Sequence, residues 1–124
     1  MDPKRNKESN QGYIPVITRK ESSKVWIKEI LYIEKELRLI KIYTAGRVYS
    51  FYGKLDDIMK YLDDNFYRCH RSCVVNLDKI LRMEKGIFYL EGGKTLRVGQ
   101  NNYQYTRSYY RRFLEKNDKA KEFE

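Results

Sequence analysis

The stretch Asn65-Phe66-Tyr67-Arg68-Cys69-His70-Arg71-Ser72-Cys73-Val74-Val75-Asn76-Leu77 decides how the rest of the chain is read. Four polar or cationic side chains, Arg68, His70, Arg71 and Ser72, stand directly before an apolar run that ends in Asn76. The chain's one histidine and both of its cysteines lie here. A basic cluster that feeds into a buried strand holds polar groups rigidly at a surface. Read as one extended segment, it puts Cys69 and Cys73 on the same face with Cα atoms about 13 Å apart, too far for a disulfide. With no CxxC pair and no second histidine, a zinc site is not expected. Two reduced cysteines fit a cytoplasmic protein.

Working outward, the hydrophobic pattern alternates on both sides of this stretch. Upstream, residues 13–18 form a short strand that Pro15 confines to an edge. Residues 20–23 turn, residues 24–28 resume an extended pattern, and residues 29–34 form a second apolar run closed by charge. Enrichment in β-branched and aromatic residues favours strand. Residues 35–38 are a polar connection. Strands at 39–44 and 47–52 flank Ala45-Gly46, where Gly46 is expected to supply the positive φ of a hairpin turn. The period then changes. Leu55, Ile58, Met59 and Leu62 fall at i, i+3, i+4 and i+7, one face of a helix of about three turns. Asp56 and Asp57 sit in its first turn, where the dipole favours anions.

Downstream, strands at 80–85, 87–91 and 94–98 are separated by Gly86 and Gly92-Gly93. Residues 99–102 read as a polar loop. Tyr103, Tyr110 and Leu114 then share a helical face with Thr106 between them and Phe113 beside it, while Arg107, Arg111, Arg112 and Lys116 crowd the remainder. This is a basic amphipathic C-terminal helix. The sum is eight to ten short strands with one internal and one terminal helix, mainly β with antiparallel hairpins. The chain's 124 residues are 41% hydrophobic, enough for one domain with its own core. It is expected to span 13–116, between a polar, disordered leader at 1–12 and a charged tail at 117–124. The leader lacks the apolar core of a signal peptide, and no run reaches membrane-spanning length.

The charge is +9, from 26 Lys+Arg against 17 Asp+Glu. Such an excess points to a polyanionic partner: nucleic acid, anionic lipid or an acidic protein. No constellation passes the geometric requirements of catalysis. His70 has no nucleophile in a recognised setting, and no glycine-rich phosphate loop occurs. No enzyme, catalytic residue, metal or other cofactor is expected. Binding is better supported. Arg68 and Arg71 can fork onto phosphates or onto the O6/N7 edge of guanine. His70 can donate or accept, or merely cap a turn, and Asn76 before Leu77-Asp78 is ordinary turn chemistry.

The run Phe66-Tyr67-Arg68-Cys69-His70-Arg71-Ser72-Cys73-Val74-Val75-Asn76-Leu77-Asp78-Lys79-Ile80 resembles the signature of LytTR-type DNA-binding domains, output domains of bacterial response regulators. Glu29-Ile30-Leu31-Tyr32-Ile33-Glu34 is similar to the family's early strand, and Phe51-Tyr52-Gly53-Lys54-Leu55 to the join into its short helix. The resemblance covers residues 13–116 and implies stacked antiparallel β-sheets that bind double-stranded DNA through loops in successive major grooves. Carried onto this chain, it places the first contact at Arg38, the second at Arg71 beside His70 and Arg68, and the third in the loop Gln100-Asn101-Asn102. Relatives commonly carry a cation in the third loop, which this chain lacks. Residues 1–12 are also too short to be the phosphorylatable receiver domain that relatives often carry.

The expected function is therefore sequence-specific DNA binding in transcription regulation, with two copies on paired sites, no membrane and no small-molecule substrate. Tyr67, Cys73, Val74 and Val75 would anchor the signature while His70 and Arg71 face the DNA. Arg68 stands open between a phosphate contact and an internal ion pair. Two rivals follow from the same residues: an RNA-binding module stacking bases on Tyr49, Tyr67 or Tyr89, and a protein-interaction domain using the basic helix.

Overall fold

The computed structural model describes residues 12–118. Ten strands, two α-helices and three single 3-10 turns form three stacked antiparallel sheets. Strands β1 (Tyr13–Ile17) and β2 (Ser22–Trp26) pair as a two-stranded ribbon. The central sheet has five strands: β3 (Ile30–Glu36), β4 (Leu39–Thr44), β5 (Val48–Tyr52), β6 (Phe66–His70) and β7 (Cys73–Asn76), in the order β5-β4-β3-β7-β6. Strands β8 (Ile80–Glu84), β9 (Ile87–Leu90) and β10 (Thr95–Arg97) make the third sheet. Helix α1 (Leu55–Met59) lies between β5 and β6, and α2 (Gln100–Asp118) closes the chain.

The central sheet is buried on both faces, and β3 shows why. Its residues Ile30-Leu31-Tyr32-Ile33 are all buried. A strand covered on two sides is expected to be continuously apolar rather than alternating. One face packs Ile33, Ile40, Ile42 and Val74 against Ile14, Val16 and Val25 of the ribbon and against Leu55, Ile58 and Leu62. The other packs Tyr32, Cys73 and Val75 against Phe88, Leu90 and Leu96 of the third sheet and Tyr103 of α2. Each fully buried side chain of this size contributes about 1.5–3 kcal/mol.

Several expected boundaries move. The Lys35-Glu36 end of the polar connection continues β3, and the turn narrows to Leu37-Arg38, with Leu37 at φ 58°. The Thr44–Arg47 turn does form, but Gly46 is not among the positive-φ glycines. The Thr44 hydroxyl closes the turn instead, donating to the Arg47 carbonyl at 2.8 Å and accepting from the Arg47 N–H at 3.1 Å. Positive φ occurs at Lys85-Gly86, where the two-residue loop from β8 to β9 requires it. Ser22 and Ser23, expected in a turn, belong to β2. Residues Ile27–Glu29 form a 3-10 turn, so β3 begins at Ile30.

Helix α1 is shorter than its periodicity suggests. Tyr61 and Leu62 donate to the carbonyls of Ile58 and Met59, so i to i+3 bonds replace the α pattern after Met59. Leu62 still reaches the core at 5% exposure. The proposed leader at 1–12 lies, apart from Gly12, outside the described residues. In the proposed tail, Asn117 and Asp118 continue α2 and residues 119–124 lie outside the described part.

Candidate nucleic-acid interface

The signature stretch is a hairpin. It folds back at Arg71-Ser72, so that His70 pairs with Cys73 and Phe66 with Asn76. This corrects the reading of one extended run. The turn carries no Gly, Pro or Asn, so nothing in its composition marks it. Cys69 and Cys73 consequently sit on adjacent strands, both buried and both free thiols. The Cys69 thiol donates to the Cys73 carbonyl at 3.6 Å. That neighbouring thiol, together with burial, pushes the Cys73 thiol well up, so it stays protonated at neutral pH.

Antiparallel pairing brings separate segments to one end of the central sheet. Strand β3 runs antiparallel to both β4 and β7. The end of β3, the starts of β4 and β7 and the ends of β5 and β6 therefore share one edge of the molecule. The Leu37-Arg38 turn and the Arg71-Ser72 turn both lie there, tied by the Lys35 N–H donating to the Ser72 carbonyl at 2.8 Å. A shallow open cleft, lined among others by Lys35, His70, Ser72, Arg97 and Asn102, joins the second turn to the start of α2. All three expected contact segments thus meet at one end.

Their local settings differ. Arg38 and Arg71 are exposed, and neither side chain has a hydrogen-bond or ion-pair partner among the described residues. Arg68 is engaged by neighbours on the surface. Its Nη1 lies 2.8 Å from Asp56 Oδ1 of α1, and its Nη2 donates to the Arg71 carbonyl at 2.6 Å. The Arg68 guanidinium holds the Asp56 carboxyl below the usual carboxylate range. Of the two roles open to Arg68, the structure shows an ion pair, but one at the surface rather than internal. His70 Nδ1 accepts from the Ser72 N–H at 3.1 Å, which leaves Nε2 to carry the proton of the neutral ring. Asn76 is 1% exposed; its amide donates to the Ile30 carbonyl at 2.8 Å and accepts from the Asp78 N–H at 3.0 Å. It locks the strand end and contacts no solvent-facing site.

Gln100-Asn101-Asn102, expected in a loop, form the first turn of α2 instead. The Tyr103 N–H bonds the Gly99 carbonyl at 2.8 Å, so the helical pattern starts as soon as β10 ends. Buried Thr106 donates to the Asn102 carbonyl at 2.8 Å and fixes this turn on the core. Sequence reasoning missed what surrounds these positions: Leu37, 88% exposed at the first turn, and Tyr52, 81% exposed at the end of β5. Two exposed apolar side chains beside basic turns are the signal that was available. The tyrosines considered for base stacking are already engaged. Tyr67 stacks on Tyr109 at 4.5 Å, Arg47 lies over Tyr49 at 4.0 Å and Arg82 over Tyr89 at 3.8 Å.

Among the described residues no helix is long and apolar enough to cross a membrane. Comparison with known proteins gives a consistent result. Residues 20–113 match the model of the family described as LytTr DNA-binding domain. The Accessory gene regulator protein A of two Staphylococcus epidermidis strains, ATCC 35984 and ATCC 12228, is 33% identical in a 94-residue alignment that covers 72% of this chain and 39% of that protein. The chain thus spans about two fifths of the length of these curated relatives. Among solved structures, the LytTr DNA-binding domain of a Bacillus cereus protein described as a methyl-accepting/DNA response regulator superposes with a TM-score of 0.68. That match is 20% identical and covers 79% of this chain and 95% of the other, a likeness of fold. With the signature hairpin, the stacked sheets and a family match over most of its length, the chain belongs to the LytTR family of DNA-binding domains.

Proposed function

We propose that this chain is a sequence-specific, double-stranded DNA-binding regulator of transcription that reads successive major grooves with segments at one end of its central sheet. The observation that carries the reading is the convergence of the Leu37-Arg38 turn, the His70-Arg71-Ser72 turn and the start of α2 at one edge, with Arg38 and Arg71 unpartnered there among the described residues. In this reading Arg71 and Arg38 offer forked donors to guanine O6/N7, and His70 offers Nε2. Arg68 acts through Arg71, whose backbone it holds. Gln100, Asn101 and Asn102 carry no cation, but a helix N-terminus presents free N–H groups and a partial positive charge. That end of α2 compensates for the missing Lys or Arg, while the asparagines suit adenine.

The relatives are named as a gene regulator and a DNA response regulator, which supports a transcriptional role. The domain is proposed to span residues 13–116, to act in the cytoplasm and to bind paired sites as two copies. Selection of bound duplexes from a random pool tests the proposal. Enrichment of a defined motif is expected, with single-stranded RNA failing to displace it at equal nucleotide concentration. Displacement by that RNA, or a pool that stays random, would defeat the reading.

A further inference from the structure

Tyr52 is the most exposed aromatic side chain among the described residues, at 81%. Its hydroxyl has no hydrogen-bond partner there. A tyrosine standing in water at the end of a strand keeps its hydroxyl available to a partner from outside the chain. Its position is informative. Tyr52 pairs with Leu39, the residue after the Leu37-Arg38 turn, and the next N–H, that of Gly53, donates to the Arg38 carbonyl at 3.1 Å. Lys54 follows, exposed, before α1 begins. The segment Tyr52-Gly53-Lys54 is therefore bolted to the backbone of the Arg38 turn and shares its edge of the molecule.

The strand order gives the direction. In β5-β4-β3-β7-β6, the Arg71 turn lies on the β6-β7 side of the Arg38 turn, and Tyr52 lies on the opposite flank, at the outer strand β5. If the two turns enter the groove, the groove wall beyond Arg38 meets β5. Two residues apart on this exposed segment, a phenolic O–H and an ammonium offer a neutral donor and a cation to the oxygens of a sugar-phosphate backbone.

We infer that Tyr52 and Lys54 form a phosphate clamp on the outer flank of the Arg38 turn, fixing the register of the domain on duplex DNA without reading sequence. The inference rests on the DNA-binding reading above.

The test compares Tyr52→Phe, Lys54→Gln and Arg71→Ala in the full chain. Affinities are measured by fluorescence anisotropy on a selected duplex and on single-base variants of it, over a salt series. Tyr52→Phe keeps the ring and loses only the donor; it is expected to weaken every duplex by the same factor, about 3- to 10-fold, with the salt slope unchanged. Lys54→Gln is expected to weaken all duplexes uniformly and to reduce the slope of log K against log[salt] by about 1. Arg71→Ala should instead lose discrimination at one base pair. Unchanged affinity for both Tyr52→Phe and Lys54→Gln overturns the clamp while leaving the DNA-binding reading intact. So does a Tyr52→Phe loss confined to one base pair, which would make Tyr52 a reader. A wild-type chain that binds no duplex overturns both. Thermal unfolding of each variant checks the fold, which exposed positions should leave unchanged.

Discussion

Arg68 and Arg71 are three residues apart and chemically identical, yet the fold gives partners to one side chain and not the other. Arg68 is bonded to Asp56 and to the Arg71 carbonyl, while the Arg71 side chain is exposed. Sequence could not separate them, because the deciding partner, Asp56, is twelve positions away on another element. Arg71→Ala is expected to cost about 1–3 kcal/mol on the preferred duplex and to relax one base position; a loss equal on all sequences would make Arg71 a phosphate contact. Asp56→Asn tests the role of Arg68. If Arg68 holds the turn, removing its partner weakens binding, whereas a phosphate-contacting Arg68 would bind more tightly once a nearby negative charge is gone. Local sequence marks Asn76 as turn chemistry, and the Asp78 N–H donating to its side chain fits that. Its second bond, to Ile30, reaches across to β3 and was not visible in local sequence. Asn76→Ala leaves the Ile30 carbonyl and Asp78 N–H without their partner, so urea unfolding should show a loss of about 1–3 kcal/mol with the m-value unchanged.

Elements were legible where periodicity or glycine chemistry is strong, and blurred where tertiary bonds set the boundary. The β9–β10 connection through Gly92 and Gly93, at φ 75° and 77°, matches its composition. The buried face of α2, with Tyr103 and Thr106, was likewise written in the 3.6-residue spacing. The start of α2 was not. Gly-Gln-Asn-Asn has loop composition, and the helix begins there because Thr106 and Tyr103 pin the first turn to the core. The Arg71-Ser72 turn was hidden for the complementary reason: its register is imposed by β7 pairing with β3, not by turn residues. Helix α2 is held along its length by the Tyr67–Tyr109 stack and by the Tyr110 hydroxyl donating to the Ile80 carbonyl at 2.8 Å. Tyr110→Phe removes that donor and keeps the ring. A stability loss of about 0.5–1.5 kcal/mol is expected by chemical denaturation; no loss would mean that water satisfies Ile80 equally well.

At the scale of the whole molecule, the net charge of +9 pointed to a polyanion but not to a location. The fold distributes it. Lys35, Arg38, Lys54, Arg71 and Arg97 are exposed on or beside the edge where the turns meet, while Arg112 and Lys116 line a separate cleft with Asp64 toward the far end of α2. If the edge is the interface, log K for duplex DNA should fall linearly with log[salt], with a slope of about −3 to −5. Bulk charge makes a different prediction from local charge. Replacing Arg112 and Lys116 by Glu lowers the net charge from +9 to +5, since each exchange removes two units. Phosphates neutralised at the edge are unaffected by groups several helical turns away, beyond about one Debye length at physiological salt. The double variant is therefore expected to keep the wild-type slope and site preference, with a modest drop in association rate through weaker steering. A slope reduced by about 2 would place two phosphates on the far half of α2 and move the interface from the sheet edge to the helix.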